Sequence, residues 1–385
     1  MFEYFPNNYQ WSLAAMQPLN CGGHISEVEN ACQPLKEMSK RGDDPVALEA
    51  WHQSWKRVAE HVEQQAVHDE EAGHHLSAGR KYLRASLYYL AAERLMINTD
   101  PRKLQTYTKL LSSFKKGIEL RREPVEWVEV PFQSSSLPAL FVPALGSGRA
   151  PCMIHFDGFD VMKEAIYTRI GDEFRRRGVA LLIVDHPGVG EALRLRNMYS
   201  GPDTEVPAAA CVDYLESRSD VDPERIGIMA LSLGGYYAPR AAAFEKRLAC
   251  CVAWGAIWDW GQIWEHRMKG HTGHLPVPLF QLTWVLGKNT VEEALEVAKK
   301  MSLEGVADKI TCPLLVVHGE NDRQIPLWHA EKTIEAAVNS PRRKLKVFTL
   351  AEGGAEHCQA DNQTLFVDYA ADWVAEILGG NPKGV

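Results

Sequence analysis

One serine stands where the sequence could make it a nucleophile. Ser232 lies in Arg225-Ile-Gly-Ile-Met-Ala230-Leu231-Ser232-Leu233-Gly234-Gly235-Tyr236, an apolar run followed by small-x-Ser-x-Gly and an Ala-rich stretch. A sharp strand-to-helix turn explains that order. It forces the serine into a strained backbone region and brings the residues two before and two after it close together. Ala230 and Gly234 are small enough for that approach, with Ala standing where Gly is commoner. The turn lifts the hydroxyl to the carboxyl end of a sheet and points a helix N-terminus at it, a place that stabilises anions.

A serine hydroxyl attacks a carbonyl only when a base takes its proton. On such a turn the acid and the histidine follow in chain order, on loops after later strands. After the apolar run Pro313–His318 comes Gly319-Glu320-Asn321-Asp322, which offers Asp322 as the acid and Glu320 as its near alternative. After Leu345–Leu350 comes Ala351-Glu352-Gly353-Gly354-Ala355-Glu356-His357. The glycines there let the chain curl His357 back toward Ser232.

Acyl chemistry also needs donors for the oxyanion that develops. The N–H of Leu233, next after the serine, is one. The other is expected after the run Cys152–Phe156, in Asp157-Gly158-Phe159-Asp160, where Gly158 permits close approach and the Phe159 N–H is the candidate donor. Asp160 has two readings. It caps a helix beginning near Val161, or it is an auxiliary carboxylate beside the serine.

Positioning these residues requires a particular order of elements. Short apolar runs at Cys152–Phe156, Val179–Asp185, Arg225–Ala230, Ala249–Trp254, Pro313–His318 and Leu345–Leu350 alternate with helical stretches. That alternation implies a mostly parallel sheet covered on both faces. Val125–Val130 and Leu137–Val142, joined by serines, read as a hairpin ahead of it. Upstream, Asp44-Pro45 and Asp100-Pro101 are helix starts. Stripes such as Ala78, Tyr82, Ala85, Tyr89, Ala92 and Leu104, Tyr107, Leu111, Phe114, Ile118 have helical spacing and mark packing faces. The expected division is an N-terminal helical region over 1–120, an α/β core over 121–256 and 305–385, and a cap insertion over 257–304.

The 385 residues exceed what one core usually uses. With 45% hydrophobic and 24% charged residues the composition is globular, and a net charge of −8 argues against a phosphate-backbone binder. Apolar runs are strand-length, too short to span a membrane, and the N-terminus lacks a secretory pattern. Eight scattered cysteines with no CxxC pair read as reduced thiols in a cytoplasmic protein.

The segment 257–304 is rich in Trp and His. Its aromatics suit a cap over a flat substrate, with Trp258 and Trp264, together with Tyr236, as candidate pocket residues. His266, His271 and His274 could in number serve zinc, but no Cys or carboxylate completes a set and a serine relay needs no metal. No metal and no cofactor is expected.

Together these residues resemble the α/β-hydrolase superfamily. Ser77–Tyr89, Asp157–Glu164, Asp185-His186-Pro187-Gly188-Val189-Gly190-Glu191 and Ser232–Tyr237 carry a narrower likeness over about residues 45–380. It is to a branch with a helical N-terminal region. That branch includes 2,6-dihydroxypseudooxynicotine hydrolase, fungal hydrolases that shorten polyketide precursors, and esterases of the fermentation–respiration switch type. The resemblance implies hydrolysis of a carbon–carbon bond next to a ketone by a Ser-His-Asp triad. It also implies an extra carboxylate at the position of Asp160, where the nicotine-pathway enzyme has the longer glutamate. Ester or thioester cleavage of a bulky acyl group would use the same triad, and a binding protein could retain it unused. The expected partner is an aromatic or polyketide-like small molecule, not nucleic acid or membrane, with a homodimer allowed.

Overall fold

A computed structural model describes residues 2–269, 275 and 277–384. The chain divides into two compact units, Met1–Pro124 with His274–Gln281, and Val125–Gly273 with Leu282–Val385.

The first unit is built on helices α1 (Tyr9–Asn20), α2 (Ile25–Cys32), α3 (Pro45–Glu71), α4 (His75–Arg94) and α5 (Pro101–Arg121). Asp44 and Asp100 cap α3 and α5 by accepting the N–H of Val46 and Arg102, each ahead of a proline whose fixed φ suits a first turn. The stripe Ala78, Tyr82, Ala85, Tyr89, Ala92 is buried, as its spacing predicts. Leu104 instead faces solvent at 45% exposure, because it lies at the edge of the α5 stripe. Trp11, Trp51, Trp55 and Tyr88 form a chain of ring contacts at 4.9, 5.5 and 6.0 Å. Lys103 and Glu93 make a buried ion pair at 2.6 Å.

The second unit holds an eight-stranded sheet in the order β1-β2-β4-β3-β5-β6-β7-β8. Its strands are β1 (Glu126–Phe132), β2 (Ser135–Val142), β3 (Ala150–Phe156), β4 (Ala180–Val184), β5 (Val221–Leu233), β6 (Cys250–Ala256), β7 (Leu314–Gly319) and β8 (Arg343–Phe348). The β1–β2 hairpin closes with Phe132 opposite Ser135, and β2 runs antiparallel to β4. Every later pairing is parallel. The central strands are near-continuous apolar runs, which a sheet buried on both faces requires. Helices α6 (Lys163–Arg176), α7 (Gly190–Arg196), α8 (Glu205–Glu216) and α9 (Gly234–Phe244) connect the first half. After β6 come α10 (Trp260–Met268), α11 (Phe280–Val285) and α12 (Val291–Ala298), then α13 (Trp328–Ala336) and α14 (Thr364–Leu378). Among the described residues no helix is long and apolar enough to cross a membrane.

Strand order places the β5–α9 turn beside the loop after β3 on one side and the end of β6 on the other. Loops after β7 and β8 follow at the same edge. Parallel strands bring all these carboxyl ends to one side of the sheet, where ligands of open α/β sheets bind.

Candidate active site

Ser232 sits at the end of β5 with φ of 60°, in the left-handed region that a non-glycine residue enters at a cost. The motif's small flanking residues have the predicted use. A Cβ on Gly234 would lie 2.5 Å from the Ala230 Cβ, so glycine is required there. Leu233 is the N-cap of α9, so its N–H belongs to that helix's unpaired first turn.

His357 follows β8 and places its Nε2 2.8 Å from the Ser232 Oγ. Its Nδ1 lies 2.7 Å from the Asp322 Oδ2. Asp322 Oδ1 accepts the N–H groups of Gln324 and Ile325 at 2.8 and 2.9 Å, which fixes the carboxylate plane. Burial opposes ionisation of Asp322. The His357 charge and hydrogen bond outweigh it, with His318 and Ile325 adding, and the carboxyl is held below its ordinary range. For His357 burial works against the imidazolium, and Asp322, with a contribution from Cys358, reverses the balance and raises the imidazole. Glu320, the alternative acid, lies elsewhere: its Oε2 accepts the Leu350 N–H at 2.8 Å.

The loop after β3 runs against the serine turn. A Cβ on Gly158 would fall 2.8 Å from the Ser232 Cβ and 3.2 Å from the Leu233 N. Only glycine allows the segment carrying Phe159 to come this close. The Phe159 ring meets Trp260 and Trp264 edge-on at 5.6 and 6.2 Å. Beneath it, burial pushes the Asp157 carboxyl up to about 8.

Asp160 does not cap α6. That helix starts at Lys163 after Met162, with no side-chain cap. Lys163 N–H is taken by the Asp185 carboxylate instead, at 2.9 Å. Asp160 has φ of 55° and is 3% exposed. Its two oxygens meet Arg194 Nη1 and Nη2 at 2.7 and 2.8 Å.

The candidate pocket aromatics have other partners. The Tyr236 hydroxyl donates to the Pro202 carbonyl at 2.8 Å. Trp258 is buried, its backbone N–H donating to His329 Nδ1 at 3.1 Å and its ring facing Lys332. Trp264 alone of the three joins the ring cluster around Phe159. His271 and His274 lie outside the described residues. His266 is on α10, and among the described residues no three His, Cys, Asp or Glu side chains group to hold a metal.

Four residues near the site escaped sequence reasoning. Cys358, at φ 50°, puts its Sγ 3.5 Å from His357 Nε2 and 3.4 Å from the Trp254 carbonyl. His318 accepts the Ala256 N–H on Nδ1 and donates from Nε2 to the Ile325 carbonyl, which braces the loop of Asp322. Glu356 takes hydrogen bonds from Asn321 and Arg323, tying the His357 loop to the Asp322 loop. Arg194 is the fourth. Position in a loop beside a motif residue was the available signal for Cys358 and Glu356. His318, at the end of β7 just before the Asp322 loop, had the same local signal for its bond to Ile325 but none for Ala256, and Arg194 had none, because its partner Asp160 is distant in sequence.

A mostly parallel eight-stranded sheet, with a serine on the turn out of its long central strand, defines an α/β-hydrolase. The sequence pattern of the Prolyl oligopeptidase family matches residues 174–381, more than half of the chain. The chain belongs to that family, within the α/β-hydrolase branch that has a helical N-terminal region, and is a hydrolase. It is 28% identical to 2,6-dihydropseudooxynicotine hydrolase of Paenarthrobacter nicotinovorans over 336 residues, 86% of each chain. It is 30% identical to an α/β-hydrolase of Xenoacremonium sinensis over 77% of each. The crystal structure of 2,6-dihydroxy-pseudo-oxynicotine hydrolase superposes with a TM-score of 0.77 at 26% identity, covering 94% of this chain and 95% of that one.

Proposed function

We infer that this hydrolase uses Ser232 to cleave a carbon–carbon bond next to a ketone in an aromatic or polyketide-like substrate. The observation that carries the serine chemistry is the relay from Ser232 Oγ through His357 to Asp322, at 2.8 and 2.7 Å. The carbon–carbon chemistry is supported by similarity to 2,6-dihydropseudooxynicotine hydrolase along 86% of both chains.

His357 Nδ1–H donates to Asp322, which leaves the Nε2 lone pair facing Ser232. The Ser232 Oγ attacks the carbonyl carbon as His357 Nε2 takes its proton. Leu233 and Phe159 N–H groups receive the oxyanion. Collapse breaks the carbon–carbon bond, and the electron pair departs on a carbon stabilised by a neighbouring ketone or phenol ring. His357 returns the proton to that carbon. Water then adds to the acyl-enzyme with His357 as base, releasing the acid and restoring Ser232.

Labelling with a fluorophosphonate, followed by assays on an aryl diketone and a p-nitrophenyl ester, tests this. The expected result is labelling of Ser232 in the wild type. Loss of both activities in Ser232→Ala, by roughly 10³-fold or more, is also expected. Folded wild type that takes no label overturns the serine reading. Turnover of the ester with none of the diketone replaces carbon–carbon cleavage by carboxylesterase activity.

A further inference from the structure

We propose that Asp160 and Arg194 form a positioning pair that holds the Phe159 N–H at the serine, and that Asp160 does not itself touch substrate. The inference rests on the oxyanion role assigned to Phe159 above. Both carboxylate oxygens of Asp160 are engaged by one guanidinium in a two-point bond, and each side chain is 3% exposed. Such planar pairs fix direction as well as distance. Arg194 has further contacts on its own side, to the Gly190 carbonyl at 3.4 Å and over the Trp284 ring at 5.0 Å.

The pair is one of three links with a common origin. All reach the loop after β3 from the segment formed by the end of β4 and α7. His186 Nε2 donates to the Asp157 carbonyl at 3.1 Å. Asp185 accepts both the Lys163 N–H and its Nζ, at 2.9 and 2.8 Å. It also accepts the Glu191 N–H at the start of α7 at 2.8 Å. Arg194 takes Asp160, midway between these anchors. The segment between them contains Gly158 against the serine turn, a tight turn from Asp160 N–H to the Gly158 carbonyl at 3.1 Å, and Asp160 itself at positive φ. Positive φ is milder for aspartate than for most residues but still carries a cost, which the two-point bond to Arg194 offsets. Phe159 lies inside this turn, so the direction of its N–H depends on Asp160 staying in place.

The test compares wild type, Arg194→Lys, and the double variant Asp160→Asn/Arg194→Gln, which removes both charges and leaves neither buried alone. Each is assayed on a p-nitrophenyl ester, titrated with an aryl trifluoromethyl ketone that forms a tetrahedral oxyanion on the serine, and melted. The double variant is expected to stay folded, keep KM within about 3-fold and lose kcat by about 10²-fold. That loss matches removal of one oxyanion donor, roughly 10²–10³-fold. Affinity for the ketone should fall in parallel with kcat/KM, and Arg194→Lys should lie between. A folded double variant with unchanged kcat, or one that loses only KM, overturns the pair's role. Should the double variant not fold, Arg194→Lys decides: equal kcat and equal ketone affinity overturn it. Failure of wild type to take a fluorophosphonate would instead overturn the serine reading, so the two failures are distinct.

Discussion

At the scale of single residues the site depends on charge placed against burial. Asp322 is buried and ionised because His357, two backbone N–H groups and His318 surround it. Its charge in turn raises His357 above the usual imidazole value near 6.5. In the proposed mechanism His357 must be neutral to accept the Ser232 proton. A raised imidazole holds its proton to higher pH, so kcat/KM should climb with pH along a limb lying above 6.5. Asp322→Asn removes the charge that raises it. That variant should lower kcat by roughly 10³–10⁴-fold and move the limb to lower pH, as pH–rate profiles would record. A limb that stays put in Asp322→Asn contradicts the charge argument. Ser232, Asp322 and His357 could each be read from a motif and a loop after a strand. Arg194 could not, since nothing local to it specifies that its guanidinium meets a carboxylate 34 positions away.

At the scale of elements, one buried cation organises two helix starts. Lys163 is 2% exposed and lies 2.8 Å from both Glu164 and Asp185 and 3.4 Å from Glu191. Asp185 closes the N-termini of α6 and α7 with the same carboxylate. Burial raises the Glu164 carboxyl above its ordinary range, against the pull of Lys163. Lys163→Met leaves these carboxylates without their cation. It should destabilise the protein by about 3–5 kcal/mol, measured by denaturant unfolding. A change below about 1 kcal/mol would show that the cluster relaxes or is wet. In the sequence the run Asp185-His186-Pro187-Gly188 carried only a family likeness. Its use as a shared helix cap depends on two helices meeting, and periodicity describes each helix alone.

At the scale of the whole molecule the chain carries eight cysteines, all of them buried. Burial raises the thiols of Cys32, Cys152, Cys211, Cys250, Cys251 and Cys312, which keeps them from forming the reactive thiolate. Native protein should react with Ellman's reagent at far fewer than eight sites over minutes, and show all eight in guanidinium. Its melting temperature should not change with reductant. A drop on reduction would reveal a disulfide. The sequence alone determined the succession of strands along the chain, the hairpin ahead of them, the turn at Ser232 and the caps at Asp44 and Asp100. Each depends on neighbours within about ten residues, where backbone sterics, alternation and capping act directly. Tertiary structure put Asp322 rather than Glu320 against His357, turned Asp160 away from capping α6 and toward Arg194, and placed Cys358 against His357. Those outcomes follow from which loops the parallel sheet gathers at one edge, and from the cost of burying a charge that finds no partner there.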